Sequence, residues 1–407
     1  MSTRGMPMST PGSAILVINA GSSSLKFAVY AIKKTPSELP RLYQGAIEDI
    51  DSKDCARFRL FADKVQEDKA IDASDQHQAM RYLLDWLEQH SAEWRIIAAG
   101  HRLVHGGSHF TKPVRLDQSQ LEQLRAYIPL APLHMPHNLA AIEALWQQRP
   151  DLPQVACFDT AFHHTMPEVE QIFALPRQYR EQGIRRYGFH GLSYEYIASV
   201  LPEYLGEQAE GRVIVAHLGH GASLCALHRR KSMATSMSFT PLDGIPMATR
   251  PGALDPGVLL YLLREKGLSL SALETLLNHQ SGLLGLSGSS GDMRQLLADP
   301  HPAATQAIDY FVHHIQRAIA SLAGALGGLD ALVFTAGIGE NAPLIRARIC
   351  QQAAWLGISI DNDANMQNRI QISPPGSRVS VWRITTNEEL IIARHTYGLL
   401  TGKADFP

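Results

Sequence analysis

Residues Ile15 to Tyr30 read ILVINAGSSSLKFAVY. Four apolar residues lead into Asn19 and a small-residue turn, Ala20-Gly21-Ser22-Ser23-Ser24; Leu25, Phe27 and Val29 then alternate with Lys26, Ala28 and Tyr30. Period-two alternation predicts two strands joined by the turn. Gly and Ser suit an ordinary polar hairpin, and they equally suit a cradle whose backbone N–H groups and hydroxyls converge on phosphate oxygens. A P-loop is excluded, because its Gly-x-x-x-x-Gly-Lys-Ser/Thr opens a helix, not a strand.

The pattern recurs. Val213 to His228 reads VIVAHLGHGASLCALH, again an apolar run, a turn of Gly219-His220-Gly221-Ala222-Ser223 and a second apolar strand, offset by one residue. Two such segments predict a duplicated fold whose halves each present a Gly/Ser turn to one ligand. A third turn, Gly337-Ile338-Gly339-Glu340-Asn341, closes the strand expected over Ala331 to Thr335 and opens a helix through Ile345 and Ile349. N–H groups at that helix start would face an anion. Three such turns, each abutting an apolar strand, point to a nucleotide.

The chain between these segments alternates strands and helices, the mark of an α/β architecture. Ala46 to Phe61 reads as strand and turn, Gln76 to His90 as an amphipathic helix with Ala79, Leu83, Trp86 and Leu87 on one face, and Arg95 to Gly100 as a strand. A helix is expected over Gln118 to Tyr127. The prolines of Pro129 to His137 predict a loop, after which Asn138 should cap a helix through Leu145 and Trp146. Gln154 to Phe158 reads as a strand ending at Asp159.

At 407 residues the chain exceeds one hydrophobic core, so two domains are expected. Apolar residues are 45%, charged residues 19% and the net charge −2, with no basic run interleaved with aromatics, which argues against nucleic acid or an anionic membrane as partner. No segment reads as a membrane span. Cys55, Cys157, Cys225 and Cys350 are scattered and read as buried, reduced thiols. The first fourteen residues lack an apolar stretch like that of a signal peptide, so a cytoplasmic location is expected.

The motifs NAGSSSLKF, GHRLVHGG, APLHMPH, FDTAFHHTMP, YGFHGLSY, VAHLGHGAS, TPLDGIPMATRPGALDPG, SGSSGDMR, FTAGIGEN and TNEEL, in this order from about Ile15 to Thr396, resemble those of the acetate kinase family, within the acetate and sugar kinase, Hsp70 and actin superfamily. The resemblance implies two actin-like (ribonuclease H-like) α/β domains around a central nucleotide-binding cleft. It places a flexible extension at residues 1–14, domain I at 15–160 with a C-terminal helix at 390–407, and domain II at 161–389. It also implies a homodimer that moves a phosphoryl group reversibly between ATP and acetate, giving acetyl phosphate and ADP, with Mg2+, replaceable by Mn2+, as cofactor.

The resemblance assigns roles residue by residue. Arg102 and Arg250 would line the substrate and the transferring phosphoryl group, a task that suits a planar guanidinium fork. His190 would steady that group, and His134 is a second pocket histidine, though most of the chain's 18 histidines are expected to be structural, His101, His105, His163 and His164 among them. Asp159 would contact the active-site arginine and act through position and charge. Asn19 and Glu388 would hold magnesium, which takes few protein oxygens. Ser22, Ser24 and Lys26 would face the distal phosphates, the turn Gly219, His220 and Gly221 the β-phosphate, and Asp292, Arg294, Gly337, Ile338, Gly339, Glu340 and Asn341 the nucleoside, with His217, Leu218 and Met293 as further nucleotide-binding positions. Val104, Leu133, Phe189 and Pro241 would form an apolar pocket for the substrate methyl group.

Four positions in three segments depart from the family pattern. His220 and Met135 stand where Asn is usual, His137 where Pro is, and Ala248 where Gly is commoner. None removes a charged catalytic residue. Rival readings are a propanoate or other short-chain carboxylate kinase, a sugar kinase of the same fold, and a non-catalytic actin-type binding protein. The last predicts loss of Arg102, Arg250 or His190, and all three are present.

Overall fold

The computed structural model describes residues 12–33, 39–50, 55–61, 66–90 and 93–402. Of the extension expected at 1–14, residues 1–11 lie outside the described residues and 12–14 belong to the first strand. The chain divides into two compact units, Met1–Ala161 with Glu388–Pro407, and Phe162–Asn387.

In the first unit, β1 (Gly12–Ala20) and β2 (Leu25–Ile32) form the antiparallel hairpin that the opening stretch predicts. It extends through β3 (Arg41–Glu48), β4 (Ala56–Phe61) and β5 (Gln66–Ile71) on one side. On the other side lie β6 (Trp94–Leu103), β8 (Gln154–Phe158) and the short β7 (Val114–Arg115). The order is β5-β4-β3-β2-β1-β6-β8-β7, with β6 parallel to both β1 and β8. Leu16, Ile18, Phe27 and Phe58 from the sheet and Leu83, Trp86 and Leu87 from the helix Gln76–His90 form one buried cluster.

The second unit repeats this plan with fewer strands. Its sheet has the order β11 (Lys231–Thr235), β10 (Ala222–His228), β9 (Arg212–Leu218), β12 (Ala331–Thr335), β13 (Ser380–Arg383). The β9–β10 and β10–β11 pairs are antiparallel and the β9–β12 and β12–β13 pairs parallel, as for β1–β2, β2–β3, β1–β6 and β6–β8. The offset between the two segments is visible in the pairings. Ala20 opposes Leu25, whereas Leu218 opposes Ala222, so the first turn holds one residue more. The duplicated α/β fold is therefore present in topology as well as in sequence.

Four local expectations are corrected. The proline-rich segment is helical from Met135, because Pro136 falls in the first turn of the helix Met135–Gln148, where a missing N–H costs nothing. Asn138 consequently lies inside that helix and does not cap it. Gly337 to Asn341 belongs to a short helix, Ala336–Asn341, since the Glu340 carboxylate accepts from the Ala336 N–H at 2.8 Å and closes the turn from within. Cys55 is exposed, while Cys157, Cys225 and Cys350 are buried.

Glycine at position 100 lets the C-terminal helix Glu388–Thr401 dock on the first sheet. A Cβ there would lie 2.3 Å from Thr396 Oγ1 and 2.6 Å from Ile392 Cγ2.

Candidate active site

Parallel β1, β6 and β8 end side by side, and the ends of such strands are where α/β sheets place functional groups. They carry Asn19, Arg102 and Asp159. Arg102 donates from Nε to Asp159 Oδ1 at 3.0 Å and from Nη2 to Oδ2 at 2.6 Å, and its Nη1 donates to Asn19 Oδ1 at 3.3 Å. This is a bidentate fork, locked in orientation. Asp159 is 2% exposed and Arg102 22%, so one edge of the guanidinium stays accessible. Burial opposes the charge of Arg102, but Asp159 and Glu388 outweigh it and raise its pKa above the ordinary arginine value.

Glu388 opens the C-terminal helix. Its burial, reinforced by the charges of Asp159 and Glu389 and opposed by Arg102 and Lys26, pushes its carboxyl up to about 7. Lys26 is exposed on β2 between buried Leu25 and Phe27, as the alternation requires. Hard oxygen donors, an amide at Asn19 and an acid at Glu388 short of positive charge, fit a magnesium ion that keeps most of its waters. Among the described residues no group of three His, Cys, Asp or Glu side chains could hold a metal by itself.

The first phosphate-type turn is pinned from outside. Gly21 N–H donates to Ser24 O at 2.7 Å, Gln76 Nε2 to Gly21 O at 2.9 Å, and Ile50 N–H to Ser23 O at 3.0 Å. Asn138 Nδ2 donates to Ala20 O at 2.7 Å, while its Oδ1 accepts from Val104 N–H at 3.1 Å. One buried amide thus ties the turn to the candidate substrate residue Val104. Ser22 and Ser23 are left exposed and Ser24 half-buried. Val104 is buried, Leu133 exposed, and His134 half-buried at the N-cap of the helix Met135–Gln148.

The second unit gathers His190, His217, Gly221 and Arg250. His190 has φ 58°, left-handed, and forms the N-cap of the helix Gly191–Leu205. Its Nδ1 is 2.8 Å from Ser223 Oγ, and its ring stacks on His217 at 4.3 Å between centroids. His190 Nε2 and Arg250 Nη1 lie 3.2 and 3.7 Å from the point a Cβ on Gly221 would occupy. Both groups therefore face the space that glycine keeps open. Arg250 Nη1 also donates to Pro241 O at 3.1 Å, and Gly219 N–H to Gly221 O at 3.1 Å. Ala248 N–H holds His220 O at 3.2 Å, so two of the departures meet through backbone, and the His220 side chain is exposed. Phe189 is buried and Pro241 half-buried in this unit. Leu218, also buried, closes β9 before the turn.

Of the candidate nucleoside residues, Asp292 caps the helix Met293–Ala298 and pairs with Arg294 at 2.6 Å, which draws its carboxyl down to about 2. Met293 is buried. Gly337 faces open space, Ile338 is half-buried, Gly339 packs against Phe334, and Asn341 Nδ2 donates to Gly337 O at 3.0 Å.

Sequence reasoning missed the residues that hold this short helix and the histidine. Arg346 is 0% exposed and donates to the carbonyls of Gly339 and Glu340, each at 2.9 Å, and to Asn365 and Asn368. Burial drives its pKa down to about 10. In the sequence Arg346 is one of two arginines between Ile345 and Ile349, the other being Arg348, so no local signal distinguishes it. His163 Nε2 donates to Phe189 O at 2.9 Å and its Nδ1 meets Ser232 Oγ at 2.9 Å, so this structural histidine braces the residue before His190.

Comparison with known proteins gives the family. The model of the acetokinase family matches residues 14–394. An acetate kinase of Rhodopseudomonas palustris is 53% identical over 392 residues, covering 95% of this chain and 98% of its own. A solved propionate kinase from Francisella tularensis superposes with a TM-score of 0.89 at 40% identity, covering 95% of this chain and 99% of that one. The crystal structure of Porphyromonas gingivalis acetate kinase gives a TM-score of 0.85 at 36% identity, with 95% and 100% covered. A match of this extent, on a chain that carries the arginines, histidine and glycine turns together, makes the protein a member of the acetokinase family.

Proposed function

We propose that the protein transfers the terminal phosphoryl group of ATP to acetate, reversibly and in line, giving acetyl phosphate and ADP. The observation that carries this reading is the convergence of His190 Nε2 and Arg250 Nη1 on the space beside Gly221. Acetate is ionised at neutral pH, as carboxyl groups with pKa near ~4 are. The reaction therefore joins two anions, and catalysis reduces to alignment and charge neutralisation, with no strong base required.

Arg102 and Arg250 supply the positive charge, and His190 steadies the phosphoryl oxygens. Asp159 has both oxygens engaged by Arg102, which suits a positioning role. Asn19 and Glu388 would hold Mg2+, or Mn2+ in its place, and the ion would neutralise phosphate charge when bound. Ser22, Ser24 and Lys26 would serve the distal phosphates, His217 to Gly221 the β-phosphate, and Asp292 to Arg294 with Gly337 to Asn341 the nucleoside. Val104, Leu133, His134, Phe189 and Pro241 would receive the acid.

The active form is read as a homodimer. The helix Pro256–Arg264 buries none of its residues, and Val258, Leu260 and Tyr261 are 43%, 49% and 53% exposed, an apolar face that supports self-association. Leu260→Glu should shift the protein toward monomer in light scattering; an unchanged mass would place the contact elsewhere. The four free cysteines support work in the cytoplasm, where thiols stay reduced.

An acyl-hydroxamate assay with ATP, Mg2+ and acetate, propanoate or butyrate tests the reaction. Acetate should react best, with propanoate behind by about 10- to 200-fold, the value of one methylene. Propanoate ahead of acetate would favour the propanoate-kinase reading, and no product with any acid from folded, ATP-binding protein would overturn both.

A further inference from the structure

We propose that Tyr194 and Ser223 determine which ring nitrogen of His190 carries its proton, so that Nε2–H, not a lone pair, faces the reacting phosphoryl group. The proposal rests on the placement of His190 at that group. Tyr194 lies one helical turn after His190, and its backbone N–H donates to His190 O at 3.1 Å, so both side chains project toward the same stretch of β10. There Ser223 Oγ is hydrogen-bonded both to the Tyr194 hydroxyl and, at 2.8 Å, to His190 Nδ1. Tyr194 and Ser223 are each 0% exposed, which keeps water out of the chain of bonds.

A phenol is the stronger donor and the weaker acceptor of the two hydroxyls, so Tyr194 donates to Ser223. The single Ser223 proton then points to Nδ1, which must accept. A neutral imidazole accepting at Nδ1 carries its proton on Nε2. That nitrogen is the one beside Gly221 and Arg250 Nη1, so two donors are aimed at one place before any anion arrives. Tyr194 and Ser223 are thus positioning residues, acting through His190.

The test uses full-length protein, 15N-labelled in histidine, with the His190 signals assigned by their loss in His190→Gln. Wild type should show the Nε2–H tautomer. Tyr194→Phe and Ser223→Ala should show mixed tautomers, with kcat lowered about tenfold or more and the KM values for ATP and acetate little changed. Ser223→Thr, which keeps the hydroxyl, should restore both readouts. An Nδ1–H tautomer in wild type, or an unchanged Nε2–H tautomer in Tyr194→Phe with native circular dichroism, would overturn the proposal. Tyr194→Phe keeps the ring, so it decides the matter if Ser223→Ala does not fold. Full activity in His190→Gln would instead defeat the site reading, while the tautomer measurement would still stand.

Discussion

Arg102 makes two charge-assisted bonds to one buried carboxylate and a third to Asn19. Arg102→Ala should lower kcat by on the order of 10²–10³. Because it strands the Asp159 charge, it should also cost about 3–5 kcal/mol of stability. Arg102→Lys restores a charge but not the fork, so it should recover stability better than turnover. Arg102→Ala with Asp159→Ala should recover stability and no activity; melting curves beside the hydroxamate assay separate these effects. At this scale the candidate groups are legible because their motifs are short and contiguous. Their supports were not: Asn138, Ser223 and Arg346 act on residues 118, 33 and 7 positions away, and nothing local marks such partners.

Elements position those residues through close approach. Gly100→Ala would press a methyl group into Thr396 and Ile392, lifting the helix that begins at Glu388. The expected result is a lower melting temperature and a higher Mg2+ requirement with the nucleotide KM nearly constant; unaltered Mg2+ dependence would mean that the helix tolerates the shift without moving Glu388. Arg346→Met should leave the carbonyls of Gly339 and Glu340 unpaired inside the protein, at about 1–3 kcal/mol each. It should raise the KM for ATP and leave that for acetate in place; an equal rise in both would show general loosening. Strand hairpins and amphipathic helices were readable from period. The start of the helix Met135–Gln148 was not, since proline breaks a helix interior and favours its first turn, and sequence does not say which applies.

Across the whole molecule, three buried histidines set the acid response. Burial lowers His101, His105 and His163 from 6.5 to about 4, with the hydrogen bond to Gln154 opposing the shift at His101 and that to Phe189 opposing it at His163. Between those values the unfolded chain binds protons that the folded one refuses, so stability is full above 6.5 and is lost as pH falls toward 4. Each contributes a slope of up to about 1.4 kcal/mol per pH unit. Glu388 acts in the opposite sense between 4.5 and about 7, one group against three. Urea midpoints at pH 7.5 and 5 should fall on acidification; equal midpoints would mean that these histidines are not held neutral.

The class of fold, its duplication and the chemical types at the candidate site are written in the chain itself, because apolar period and glycine turns are local properties. The shared strand order of the two sheets repeats what the two matching segments announced. Which side chains hold which is settled only when the chain has folded: the fork of Arg102 on Asp159, the hydrogen bonds of Ser223 to Tyr194 and His190, and the anchor of Arg346. Hydrogen bonds are short-ranged and directional, so a partner far along the chain is set by where folding brings it, and no spacing in the sequence encodes that distance.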